Sequence, residues 1–221
     1  VLEEIKAAAR AQLAVRGAAA LSVREVAREL GMSSSGMYRY FVSRDELLTA
    51  LIIDAFNAVG AAVERAEAAV ARDDLYGRWF AAASAVRDWA RAHPQEYGLV
   101  FGSPVPGYDA PPDTVVPASR VPIALARILR DAWDAGTLTG GAFAAPGLGK
   151  LLAAVEPLAG LPDDVVATGV LAYVELFGFV SLELFGHLIG TVDDGDAFFA
   201  LTCRRTAATL GLAERLAPAS R

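Results

Sequence analysis

The chain has 221 residues, 54% of them hydrophobic, with 20 Lys and Arg against 26 Asp and Glu for a net charge of −6. That length holds one small and one mid-sized domain with a real core, and the acidic balance excludes a protein that grips nucleic acid everywhere by bulk charge. The single Cys203 excludes an internal disulfide and fits a reducing compartment. No basic segment followed by an apolar run opens the chain, so the reading is cytoplasmic; it begins at Val1 rather than Met, and a longer natural N-terminus is expected.

Leu2, Ile5, Ala9 and Leu13 mark the apolar side of a first helix that ends near Gly17. Ser22 followed by Glu25 forms a capping box, which predicts a short helix from Val23 to Leu30 with Val26, Ala27 and Leu30 facing inward. Gly31 stands where such a helix stops in a left-handed residue. Ser33 then caps another short helix, its buried side Met37 and Phe41, its outer side Ser34, Ser35, Gly36, Arg39 and Tyr40. Ser43 with Glu46 is a second capping box, and a longer helix follows from Asp45 to about Ala71 with Leu47, Leu48, Leu51 and Ile52 on its apolar side.

Three helices of this kind enclose one small core and present a short helix with a hydrogen-bonding outer face, which reads as a DNA-binding helix-turn-helix. Ser33, Ser34 and Ser35 carry hydroxyls on short stems, Gly36 removes a side chain, and Arg39 has the reach for a guanine edge in the major groove. Tyr38 and Tyr40 place hydroxyls at phosphates, with Arg44 and the helix start at Ser22 adding charge and dipole contacts. An ordinary helical hairpin, its tyrosines half-buried and its arginines solvated, fits the same spacing. Charge is divided unevenly: residues 1–48 carry seven Lys and Arg against six Asp and Glu, the remainder thirteen against twenty. A near-neutral reading head on an acidic body implies a few aimed contacts and a modest salt dependence.

Beyond residue 48, helices are predicted over Leu75 to Ala92 and Pro94 to Phe101, with His93 and Pro94 at the break. Gly102 to Pro117 reads as an extended loop, Ala118 to Ala135 as a helix, and Gly136 to Asp164 as Gly- and Pro-rich chain with a short helix around Leu148 to Val155. Val165 to Gly190 is apolar nearly all round and long enough to cross a bilayer. Glu175, Glu183 and His187 inside it argue instead for a helix buried on every side, and no membrane partner is expected. With a last helix over about 194–210, it forms half of a four-helix interface with a second copy. Glu175 and Glu183 are expected to be satisfied by hydrogen bonds, and His187 to be a cap or solvated.

The fold class is therefore all-α: a DNA-binding domain over 1–48 and a second helical domain over 49–221 that carries the dimer interface. The large groups Trp89, Tyr97, Phe101, Trp133 and Phe177, with Ser181, are candidates for a mostly aromatic pocket, although plain core packing accounts for them as well. No cofactor and no catalytic or metal-binding residues are expected. His93 and His187 lack metal-ligand spacing, Cys203 has no nearby His, and the pairs Asp163, Asp164 and Asp193, Asp194 precede helices.

The run Ala27, Leu30, Gly31, Met32, Ser33, Met37, Tyr38, Tyr40, Phe41, Arg44, Leu47, Leu48 resembles the N-terminal domain of the TetR family of bacterial transcriptional regulators. One departure is the pair Ser35, Gly36, where relatives usually have Gly and then Thr or Ala. The second part is similar to a TetR subgroup named for a Trp-His-Gly signature, through His93 to Tyr97, Pro104 to Tyr108 and Leu176 to Glu183. Here Tyr173 stands in the Trp place and Phe177 in the His place, and Gly178 alone is kept. The resemblance implies that 49–221 is a ligand-binding and dimerisation domain, in a homodimer that binds a double-stranded operator and responds to a small-molecule effector, usually by leaving DNA. The helix starting at Asp45 would link the two functions. A helical dimeric binding protein without operator-specific DNA binding is the alternative.

Overall fold

The computed structural model describes residues 1–138, 145, 147–149, 152 and 155–212. Among them no strand occurs, and the regular elements are α1 (Leu2–Arg16), α2 (Val23–Glu29), α3 (Ser34–Met37), α4 (Arg44–Ala68), α5 (Leu75–Ala92), α6 (Pro94–Phe101), α7 (Val115–Asp134), α8 (Asp163–Leu184) and α9 (Gly195–Thr209). Single 3-10 turns stand at Ala18–Ala20, Pro112–Thr114 and Glu156–Leu158. The short helix predicted around Leu148 to Val155 lies largely outside the described residues.

The ends of these helices follow their side chains. Gly17 stops α1 at φ 75°, and Pro94 sits in the first turn of α6, where its missing N–H costs nothing. Helix α8 was expected to continue to Gly190, because the apolar run does. It stops at Leu184 because Gly186 takes φ 80° and lets two N–H groups turn back: Gly186 donates to the Glu183 carbonyl at 3.1 Å and His187 to that of Leu182 at 2.8 Å.

The chain divides into two compact units, Val1–Ala58 with Ala90–Ala118, and Val59–Trp89 with Ser119–Arg221. This division falls inside α4, α5 and α7. It differs from a boundary after residue 48 by drawing α6 and the loop that follows into the first unit.

In the first unit Ile5, Ala9, Leu13, Val26, Met37, Phe41, Leu47, Leu48 and Leu51 form one buried cluster, and Leu99, Val100, Val105 and Tyr108 pack against it. Leu2, expected on the apolar side of α1, is exposed. Tyr97 is fully buried, its ring 5.0 Å from that of Phe101, which in turn meets Phe56 of α4 edge-on at 5.7 Å. Polar ties add to this packing. Lys6 and Arg10 of α1 both reach Asp54 of α4, at 3.1 and 2.7 Å, and Arg10 lies 3.3 Å from Glu96 of α6. The Tyr108 and Thr49 hydroxyls are hydrogen-bonded at 2.9 Å.

The second unit carries two buried arginines. Arg78 of α5 is fully buried and donates from Nε to Glu67 at 2.6 Å and from Nη1 to the Arg72 carbonyl at 3.0 Å, with Asp131 of α7 2.7 Å from Nη2. Arg87, also of α5, meets Glu183 of α8 through Nε and Nη2 at 2.7 and 2.6 Å, has Asp196 of α9 at 2.8 Å, and lies 4.7 Å from the centre of the Phe199 ring. Glu175 accepts from the Thr206 hydroxyl at 2.7 Å. Glu175 and Glu183 are thus both satisfied within the unit. A methyl group on Gly169 would strike the Leu129 side chain, so this glycine is what lets α8 approach α7 there.

One face of α8 stays outside the core. Leu171, Val174, Leu182 and Phe185 recur at helical spacing and are all about half exposed, as are Phe198 and Leu201 of α9. Helices α4 and α8 are long and apolar enough to cross a bilayer by length and composition, and in each 44% of the most apolar stretch is buried within the protein.

Candidate nucleic-acid interface and second-unit cavity

The local geometry of residues 22–48 grows out of three caps and one glycine. The Ser22 hydroxyl accepts from the Glu25 N–H at 3.4 Å and starts α2. The reciprocal half of the expected capping box is taken by another residue. Gln12, buried on α1, accepts the Ser22 N–H at 3.3 Å and donates to Glu29 at 3.2 Å, while Glu25 turns to Arg16. At the far end Gly31, at φ 63°, donates to the Arg28 carbonyl at 3.2 Å, and Met32 donates to that of Ala27 at 2.9 Å. That double bond pattern closes α2 and turns the chain.

Ser33 then caps α3, accepting the Gly36 N–H at 3.1 Å, with the Ser35 hydroxyl 3.2 Å away. A methyl on Gly36 would stand 3.1 Å from this capping oxygen, so the small residue keeps the cap uncrowded. The regular helix is shorter than predicted. It ends at Met37, and Tyr38, Arg39 and Tyr40 follow on turns, with the Tyr40 N–H on the Met37 carbonyl at 2.9 Å. Two serines and a glycine are weak helix formers, and four residues give cooperativity little to build on.

Met37 and Phe41 are buried as expected, which turns the rest of the segment outward. Ser33, Ser34, Ser35 and Arg39 are exposed, and Tyr38 and Tyr40 are 40% and 41% exposed. Arg39 makes no ion pair among the described residues. Arg44 is placed differently: it donates from Nη2 to the carbonyls of Ala18 and Ala19 at 3.0 and 3.4 Å, and so braces the turn between α1 and α2. Glu46 accepts the Val42 N–H at 2.6 Å while its own N–H goes to Ser43 at 3.1 Å, a second box shifted by one residue. Arg24 and Arg28, which the sequence reading counted only as charges, stand exposed on the outer side of α2. Their spacing of four residues on a helix with Val23, Val26 and Ala27 inward was the available signal.

The second unit holds a cavity of about 380 Å³, walled chiefly by Pro122, Leu125, Ile128 and Leu129 of α7 and by Val166, Gly169, Val170 and Tyr173 of α8, with Trp79 and Leu210. None of the six groups expected to form an effector pocket lines it. Tyr97 and Phe101 belong to the first unit, where Tyr97 packs on Phe101 and Phe101 on Phe56. Trp89, Trp133, Phe177 and Ser181 belong to the second, where Phe177 stacks at 4.3 Å on Tyr173 from outside the lining. The reason is physical: aromatic bulk marks what fills a core, whereas the space left over is bounded here mainly by branched aliphatic groups. The Trp79 indole N–H donates to the Cys203 carbonyl at 3.1 Å. The Cys203 thiol itself is pushed up to about 12, chiefly by burial.

An all-α chain whose first unit turns a capped helix, a glycine stop and a short hydroxyl-rich helix outward defines a helix-turn-helix regulator. Residues 5–51 match the tetR family of bacterial regulatory proteins, and residues 79–206 match a Tetracyclin repressor-like C-terminal domain. The chain belongs to the tetR family of transcriptional regulators, which are not enzymes. It is 41% identical over 186 residues to the HTH-type transcriptional regulators Rv1816 of Mycobacterium tuberculosis and Mb1846 of Mycobacterium bovis, covering 80% of this chain and 78% of each relative. Among solved structures it is similar to the regulatory protein SCO4313, with 34% identity and a TM-score of 0.73 over 94% of this chain and 95% of that one. A Rhodococcus sp. RHA1 protein of unknown function superposes with a TM-score of 0.74 at 25% identity, over 96% and 95% of the two chains.

Proposed function

We propose that this regulator is a cytoplasmic repressor that binds a palindromic operator as a homodimer and leaves it when a small apolar or aromatic effector occupies the second unit. The observation that carries the DNA reading is the outward face at α3. Met37 and Phe41 anchor it, and Ser34, Ser35, Gly36 and Arg39, which makes no ion pair among the described residues, lie on the solvent side. Arg39 and the serine pair read bases; Tyr38, Tyr40 and the Ser22 end of α2 meet phosphates, and Arg24 and Arg28 join them. Ser33 serves the interface by capping α3, and Arg44 by bracing the turn before α2.

The exposed apolar stripe on α8, together with Phe198 and Leu201 of α9, supports pairing of two chains about a two-fold axis. Two heads then meet half-sites about 34–36 Å apart. An effector acts only through differential affinity: one that binds the DNA-free state more tightly lowers operator affinity, and one that binds both states equally shifts nothing.

The test is selection of bound fragments from the source genome, followed by titration of the recovered site at two salt concentrations. A palindrome held far more tightly than bulk DNA is the expected result. A folded dimer that enriches no site contradicts the reading. Val174→Glu places a charge in the α8 stripe and is expected to turn the dimer into a monomer in sedimentation.

A further inference from the structure

The second-unit cavity has a chemical signature more specific than "apolar or aromatic". Among the described residues no Lys, Arg, His, Asp or Glu side chain lines it. Its indole donor is already committed to the Cys203 carbonyl. The buried charges of the unit are committed elsewhere: Arg78 to Glu67 and Asp131, Arg87 to Glu183 and Asp196. A carboxylate, phosphate or ammonium entering the cavity would lose its water and gain no counter-charge, and desolvation of that kind is prohibitive for an ion. The burial that raises the thiol of Cys203, whose carbonyl accepts the Trp79 indole N–H, agrees with a poorly hydrated region.

Size narrows the class further. A cavity of about 150 Å³ lined by aliphatic and aromatic groups holds benzene and otherwise stays dry. By that scale the 380 Å³ here takes a molecule of about fifteen non-hydrogen atoms. Pro122 and Gly169 shape the two long walls. Pro122 removes a backbone donor from the middle of α7, and Gly169 brings α8 against Leu129, while Leu152, Val155 and Leu158 complete the lining between them.

We infer that the effector site is this cavity between α7 and α8, and that it takes an uncharged, hydrocarbon-rich molecule of about two fused or linked rings while rejecting its ionised analogues. The inference deepens the proposal that the second unit binds an effector. It is tested without DNA, so its failure and the failure of the operator reading are distinguishable.

The experiment is equilibrium dialysis of the full chain against biphenyl and, separately, biphenyl-4-carboxylate at neutral pH, repeated with Ala126→Leu on α7 and Val170→Phe on α8. Biphenyl is expected to bind one per chain, and the carboxylate more than about 100-fold more weakly. Each filling substitution is expected to weaken biphenyl by at least about tenfold while thermal unfolding without ligand stays cooperative. Should one variant fail to fold, the other locates the site, and the comparison of neutral with charged probe in the natural chain decides the class in any case. Equal binding of the two probes, no binding of biphenyl, or undiminished biphenyl binding in a folded cavity-filled variant overturns the inference.

Discussion

Glu183→Gln tests the buried junction that joins α5, α8 and α9. Arg87 is only 6% exposed, and Glu183 holds two of its nitrogens at 2.6 and 2.7 Å. Unit charges about 4 Å apart attract by about 4 kcal/mol at an effective dielectric constant near 20, and breaking a buried pair costs about 3–5 kcal/mol. Two features reduce that figure. Glu183 is 21% exposed, and Asp196 remains 2.8 Å from Nη2, although at 79% exposure it is heavily screened by water. A loss of about 2 kcal/mol in unfolding free energy follows, or about 4–8 °C in Tm for a chain of this size. Urea unfolding followed by circular dichroism reads it, with Asp196→Asn as the companion expected to change stability by less than about 0.5 kcal/mol. The double variant Arg87→Met with Glu183→Leu is expected to recover most of the loss, because neither charge is then left stranded. If Glu183→Gln matches the natural protein within about 0.5 kcal/mol, the pair does not hold these helices together and the reasoning fails.

Ser33→Ala removes the cap of α3 and is expected to cost about 1 kcal/mol, read as operator binding about fivefold weaker with little change in Tm, since the helix then has to be ordered on DNA. Cys203 is expected to resist alkylation in the folded protein. Its folded thiol ionises near 12 and an unfolded one near 9.0, so stability falls between those values as pH rises, and Cys203→Ala flattens that limb. Glu64 behaves in the opposite sense: the hydrogen bond from Arg120 holds its carboxyl below the ordinary 4.5. Its contribution is present above that value and is lost as pH falls through the folded one, so Glu64→Gln softens the acid limb of the stability profile and leaves the neutral region nearly level.

Much of this fold was legible because caps and glycines act locally. Ser22, Ser33 and Ser43 each start a helix, Gly17 and Gly31 each stop one, and Pro94 opens α6 where its ring permits. The outward set at α3 was legible for the same reason, since burying Met37 and Phe41 leaves its neighbours no other side. What escaped depends on partners distant in sequence. Gln12 displaces Glu25 from its capping role from ten residues upstream, and Arg44 spends its charge on the carbonyls of Ala18 and Ala19. Tyr97 and Phe101 are as apolar as any pocket wall, yet they pack on each other, and Phe101 on Phe56 of α4, in the first unit. Periodicity shows that a face is buried and says nothing of what buries it. The cavity was hidden because its leucines, isoleucine and valines look like core until the space between them is seen.

Reading of an operator by Arg39 and its neighbours is what the proposed function stands on. The direct measurement is titration of the genome-selected site with the natural chain and with Arg39→Ala, each also titrated against unrelated DNA. The account predicts that Arg39→Ala keeps its helical signal and its dimer but loses about 1–3 kcal/mol of specific binding, with preference relaxed at the position it contacts. An Arg39→Ala protein that binds the selected site as tightly and as selectively as the natural chain contradicts the account.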